Sequence, residues 1–335
     1  MSRPNVCTKM NKKNALLWIA VMLIVALGLP NASRSGEPNW PETLIIGTAS
    51  PGGTYYHYGE GLARLLTRKL GLPVIARPTE GAAENVKLLE SGEIQLAFLT
   101  LGIAQQGWSG TADWTGGRQF RTARALFPMY DTPFQFIVTS ESPLHSITDL
   151  SGKQVGIGPA GGTGGVYTPL MFKALNISAP FITGTWADLA AQLSARRLDA
   201  LVVVAGTPVP EVSVLEKNGN IRYLALTPSQ KVSVRVSLPE MTSSFIAAGI
   251  YPSLRRDYKT LGIYNFAVAR HDLPEDLAYS IVEVVFTSRD EMMEIHPAAA
   301  ETVAANFTRN TILPFHAGAA RLYNNNAVAG SLPGD

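Results

Sequence analysis

The chain of 335 residues contains one cysteine, Cys7, and it stands ahead of an apolar N-terminal run. The rest of the chain therefore has no disulfide framework, no CxxC metal pair and no thiol nucleophile. Charge is also scarce, at 16% of residues against 46% hydrophobic. That balance excludes a disordered polyelectrolyte and provides for a large core. The five histidines (His57, His145, His271, His296, His316) show no HxxxH or HxH spacing, so a metal site would need long-range convergence. No GxSxG, SxxK or HExxH motif occurs. The expectation from these absences is a protein that is not an enzyme and carries neither metal nor cofactor.

What is present begins at the N-terminus. Lys9, Lys12 and Lys13 precede an uncharged apolar run over residues 15–29, followed by Pro30-Asn31-Ala32-Ser33. A positive start, a short apolar run and a small-residue exit form an export signal. The run is short for a spanning helix, which needs about 20 apolar residues. Residues 1–33 are read as a signal peptide or an uncleaved N-terminal anchor, and either places the body outside the cytoplasm. The formal net charge of +2, from 28 basic and 26 acidic residues, belongs to this segment. Without Arg3, Lys9, Lys12 and Lys13 the remaining 24 basic residues face 26 acidic ones, a net of −2. A near-neutral body has no electrostatic footprint for nucleic acid.

Strands and helices alternate along the body, as expected for a parallel α/β sheet. Strands are expected over residues 43–48, 74–76, 94–100, 134–139, 153–158, 200–204, 221–226 and 261–269. Helices are expected over 55–70, 83–91, 167–175, 189–196 and 274–287. Residues 105–123 read as an excursion, 228–258 as irregular and 324–335 as a frayed tail. At roughly 100–200 residues per domain, two domains are expected. The order is one α/β unit, a second α/β unit and a helical remainder with no sheet of its own. If the remainder packs on the first unit, the second becomes an insertion, with crossings near 134–139 and 261–266 as a hinge.

In open α/β sheets, ligands bind beyond the carboxyl ends of strands. Four loops have that position: residues 49–54, 79–83, 159–165 and 206–208. The first three open helices and carry glycine, which lets backbone N–H groups approach a ligand. Helix starts supply free N–H donors and partial positive charge, suited to an anion. Tyr55 and Tyr56 read as a stacking or hydrogen-bonding wall, and His57 beside them as a residue able to line a cleft. Gly156-Ile157-Gly158-Pro159-Ala160-Gly161 matches GxGxxG. Its mid-chain strand, the Pro159 inside the turn and the lack of an acidic strand end some 20 residues on argue against a dinucleotide. Asp188 and Asp199 flank a helix and are read as caps or solvated groups.

The run Ile46-Gly47-Thr48-Ala49-Ser50-Pro51-Gly52-Gly53-Thr54-Tyr55-Tyr56 resembles the opening of the TAXI solute-binding proteins (TRAP-associated extracytoplasmic immunogenic). Thr79-Glu80-Gly81-Ala82-Ala83-Glu84-Asn85, Leu126-Phe127-Pro128-Met129-Tyr130, Asp149-Leu150-Ser151-Gly152-Lys153 and Pro314-Phe315-His316-Ala317-Gly318 extend the similarity over residues 43–326. The resemblance implies a type II periplasmic-binding-protein fold, with two α/β lobes joined by a two-strand hinge. The lobes would span 43–138 plus 262–326, and 139–261. It implies ligand-binding residues Gly53, Thr54, Tyr55, Tyr56, Gly81, Ala82 and Asn85 in the first lobe, and Gly161, Gly162 and Thr163 in the second. Partners would be a small organic acid or amino-acid-like ligand and the membrane subunits of a TRAP transporter, with the binder a monomer.

The chain departs from the family pattern at four places. Ala82 stands for Ser, Gly161-Gly162-Thr163-Gly164 for Gly-Ser-Gly-Thr, Gly102 for Asp and Thr139 for Arg. Fewer hydroxyls and charges would then reach the cleft, and a ligand would lean on backbone amides and the tyrosines. The functional expectation is an extracytoplasmic solute-binding subunit that captures a small polar, carboxylate-bearing ligand between its lobes. A sensory or adaptor protein feeding a membrane receptor is the alternative, and an enzyme on the same fold is a third reading.

Overall fold

The computed structural model describes residues 39–218 and 221–329, so the export segment at 1–33 lies outside the described residues. Strand β1 (Leu44–Gly47) pairs in parallel with β2 (Val74–Arg77) and β3 (Leu96–Thr100). Helix α1 (Thr54–Leu70) joins β1 to β2, and α2 (Ala82–Ser91) joins β2 to β3. Leu62, Leu65 and Leu66 line the buried face of α1 at helical spacing. Helix α3 (Leu101–Ser109) leaves β3 directly.

Strand β4 (Ala123–Thr139) then runs 17 residues and is buried along nearly its whole length. The strand expected from the sequence begins only at 134; the stretch before it carries Pro128 and Pro133, which are rare inside strands. Both prolines sit inside β4, opposite Phe266 and Gly262 of the later strand β10 (Tyr258–Arg270). A register shift between Tyr264 and Phe266 lies between these pairs and interrupts the ladder there.

The second α/β unit comprises β5 (Val155–Gly156), α4 (Thr163–Ala174), β6 (Phe181–Ile182), α5 (Trp186–Ser194) and β7 (Ala200–Val204). It continues through α6 (Pro210–Asn218), β8 (Ile221–Tyr223), α7 (Pro228–Ser237) and β9 (Thr242–Ile246). The segment expected to be irregular thus holds a helix and a strand. Thr227 and Gln230 cap α7 reciprocally, with Pro228 at its first position, and that signature was present in the sequence. Conversely β5 is two residues long, because the turn at Gly158-Pro159 leaves the sheet early. The expected excursion over 105–123 is partly helical, since α3 extends to Ser109.

The strand order is β2-β1-β3-β10-β4-β7-β5-β6, with β8 on β4 and β9 on β10. Two long strands therefore serve both units. Residues 123–133 of β4 pair with β10, while 134–139 pair with β7 and β8. Residues 258–262 of β10 pair with β9, and 265–269 with β3.

The chain closes with α8 (Glu275–Thr287), α9 (Arg289–Ile295) and α10 (Ala317–Ala329). Leu277, Ile281 and Val285 of α8 and Leu322 of α10 share a core with Leu44, Ile46 and Leu62. The C-terminal helices thus cover the first unit. The helix α10 occupies much of the expected frayed tail. Among the described residues, no helix is long and apolar enough to cross a membrane.

Candidate functional site

Three helix starts meet at one cavity. The chain turns from β1 through Gly53 into α1, from β2 through Gly81 into α2, and from β5 through Gly162 into α4. The first amides of an α-helix have no intrahelical acceptor, and no side chain caps any of these three helices. The cavity between them has an empty volume of about 470 Å3 including its mouth. Ala49, Ser50, Gly53, Thr54 and Tyr55 line it from the first loop, and Gly81 and Ala82 from the second. Gly162, Thr163 and Gly164 line it from the third, with Val204, Ala205 and Gly206 beyond β7.

Direct contacts hold the two units together around the cavity. Thr54 Oγ1 donates to Gly206 O at 2.6 Å. The hydroxyls of Thr100 and Thr163 share a hydrogen bond at 3.1 Å. Ala83 N donates to Gly161 O at 2.9 Å, and Gly161 N to the Glu80 carboxylate at 3.2 Å. A Cβ on Gly81 would lie 2.9 Å from Gly162 Cα. These contacts tie the two units together beside the cavity, which keeps an open mouth.

The floor is formed by the two long strands. Tyr55 OH donates to Asn265 Oδ1, and Asn265 Nδ2 donates to Tyr130 O and Thr132 Oγ1. Burial pushes the Tyr55 phenol well above its ordinary pKa, so it stays a neutral donor. Among the described residues lining the cavity, Glu80 is the only charged one, and it is exposed at the mouth. The positive potential at the site is therefore that of helix ends and amides.

Of the ten residues expected to bind a ligand, Gly53, Thr54, Tyr55, Gly81, Ala82, Gly162 and Thr163 line the cavity. The other three do not. Tyr56 turns outward to Glu60 and packs edge-on against His57, because it lies one residue round the helix from Tyr55. His57 is likewise outside the lining. Asn85 is fully buried and braces the scaffold: its Nδ2 donates to Thr48 O at 2.9 Å and Phe98 O at 3.2 Å. Thr79 Oγ1 stands 2.9 Å from its Oδ1. Gly161 contributes its backbone to the closing contacts instead.

Trp186, Thr100, Thr132 and Asn265 were not expected at the site. Trp186 opens α5, and its indole fills the space a side chain on Gly158 would need, with a ring atom 2.5 Å from that Cβ position. Gly158 of the Gly156–Gly161 motif is thus a seat for Trp186. The Thr185–Asp188 cap that starts α5 marks the position in sequence. Asp199 accepts from Gln154 N at 2.8 Å, a structural role. Two of the departures also acquire a physical meaning. A side chain at Gly102 would meet Tyr167 Oη at 2.2 Å, and that phenol donates to Glu240 at 2.6 Å. Thr139 pairs with Ile221 at the far end of β4, away from the cavity.

Residues 46–326 match a family described as NMT1-like. No curated protein matches the sequence. Among solved structures, an R. palustris protein with adipate has a TM-score of 0.55 at 17% identity, covering 88% of this chain and 100% of its own. The malate-bound MatC of Rhodopseudomonas palustris has a TM-score of 0.55 at 10% identity, covering 86% and 97%. The periplasmic binding protein BugD has a TM-score of 0.51 at 13% identity, covering 88% and 99%. The fold is the two-lobed periplasmic-binding type, two α/β lobes joined by two strands.

Proposed function

The chain belongs to the NMT1-like family, and on that footing we propose that it is an extracytoplasmic solute-binding protein that closes on a small organic acid. The observation that carries this reading is the cavity ringed by three uncapped helix starts from two α/β units. Converging helix ends hold an anion without a cationic side chain. The adipate and malate of two structural neighbours support a carboxylate ligand.

The finer reading places the protein among the TAXI binders that serve a TRAP transporter, as a monomer delivering ligand to membrane subunits. The lobes are 43–138 plus 262–326, and 139–261, and they open about β4 and β10. The continuity of both strands through the two units supports that hinge. Closure buries the ligand and creates the surface that membrane partners recognise.

Thermal unfolding of the protein lacking residues 1–33, against a panel of organic acids, tests the reading. Selective binding raises the melting temperature with ligand concentration. No shift with any acid at millimolar concentration overturns it.

A further inference from the structure

The lining of the cavity restricts the ligand further than the fold does. We infer that the site selects a short monocarboxylate with an uncharged body over dicarboxylates and amino acids. This inference rests on the organic-acid reading above and deepens it.

The charges around the cavity limit what it can hold. One carboxylate can accept from the first-turn amides of α1, α2 and α4 that have no partner; no side chain caps these helices, but in α2 Ala83 N is already given to Gly161 O. A second carboxylate would meet no lysine, arginine or histidine in the lining among the described residues, and would compete with the first for the few helix-start amides left, since Ala83 N is given to Gly161 O. Glu80, at the mouth, adds like-charge repulsion to any anionic group that points outward. Its carboxylate accepts from Gly161 N across the cleft at 3.2 Å, which holds it at the mouth in the closed arrangement. A buried anion without a partner is strongly disfavoured.

The remaining wall is apolar or neutral. Ala82, Val204, Ala205 and the Trp186 indole offer surface for a short carbon body. Tyr55 stays a neutral donor whose hydroxyl is already committed to Asn265. The absence of a hydroxyl on Ala82 removes one more polar partner. An α-amino acid fits poorly, because its ammonium is bonded to the carbon that bears the carboxylate. The same positive helix ends that hold the one group repel the other.

The Thr54–Gly206 and Thr100–Thr163 bonds set the depth of the cavity. Any body long enough to separate those pairs prevents the contacts that close the site.

Isothermal titration calorimetry on the protein lacking residues 1–33 separates the possibilities. Propionate, butyrate and pyruvate are compared with succinate, malate and adipate, and with alanine, glutamate and γ-aminobutyrate. The best monocarboxylate is expected to bind at least about tenfold tighter than the best member of either other set. Replacing the mouth charge, Glu80→Gln, is expected to cut the monocarboxylate-to-dicarboxylate affinity ratio at least about threefold. A dicarboxylate or amino acid that binds as tightly as the best monocarboxylate overturns the inference and leaves the organic-acid reading standing. An unchanged ratio in the Glu80→Gln variant removes the role given to that charge and overturns the inference. Absence of binding in all three sets overturns the reading beneath it as well.

Discussion

Gly81→Ala isolates closure from folding. Gly81 has φ 126° and ψ −154°, a region that side chains occupy at a cost of about 1–3 kcal/mol. Its Cβ would also stand 2.9 Å from Gly162 Cα, with Gly161 O and Gly162 N at 3.4 Å. These neighbours are backbone atoms, so no rotamer change relieves the contact. Opening the cleft does relieve it, and the loop around 81 can then relax. The cost therefore falls on the closed, ligand-holding state. At about 2–3 kcal/mol, affinity drops roughly 30- to 150-fold. The unliganded protein should lose only a few degrees of melting temperature. Gly71→Ala is the control, since Gly71 also has positive φ (66°) but nothing within 4 Å of its Cβ position. It should lower stability modestly and leave affinity unchanged. Calorimetric titration of both variants with the wild type's best acid gives the comparison. An affinity for Gly81→Ala within threefold of wild type refutes the closure argument.

Thr163→Val removes the hydroxyl bonded to Thr100 across the cleft, and about 1 kcal/mol of closure with it. Affinity should fall about fivefold by calorimetry. Asn85→Ala should act on stability, because it strips buried carbonyls of their donor. A loss of about 2–4 kcal/mol in urea unfolding is expected. His296 is buried, and burial with nearby His57 lowers its pKa from 6.5 to about 4. The native state requires the neutral ring, so its contribution is complete above pH 6.5 and is lost as pH falls toward 4. The full loss is about 3 kcal/mol. Urea midpoints from pH 7 to 4.5 should decline in wild type and flatten in His296→Gln.

Much of this was legible in sequence, and the exceptions share physical causes. The glycine loops after β1, β2 and β5 announced the cavity because strand ends and helix starts coincide there. Asn85 misled because polarity beside a site loop reads as ligand contact, whereas its complete burial gives it to the scaffold. Tyr56 misled because one step along a helix turns a side chain by about 100°. Asn265 has no signal in the sequence and Trp186 only the Thr185–Asp188 cap beside it, since each reaches the cavity through long-range packing. The first half of β4 was missed: it carries two prolines, which are rare inside strands, and the register shift against β10 shows only in the structure.

Where the carboxylate sits distinguishes helix-end binding from every other mode. A crystal structure of the protein lacking residues 1–33 with its best-binding acid measures this directly. The account predicts the carboxylate between the starts of α1, α2 and α4, accepting from backbone amides beside Thr54, Ala82 or Thr163, with the carbon body against Trp186. An acid bound elsewhere, or bound there through a lysine or arginine side chain, would contradict it.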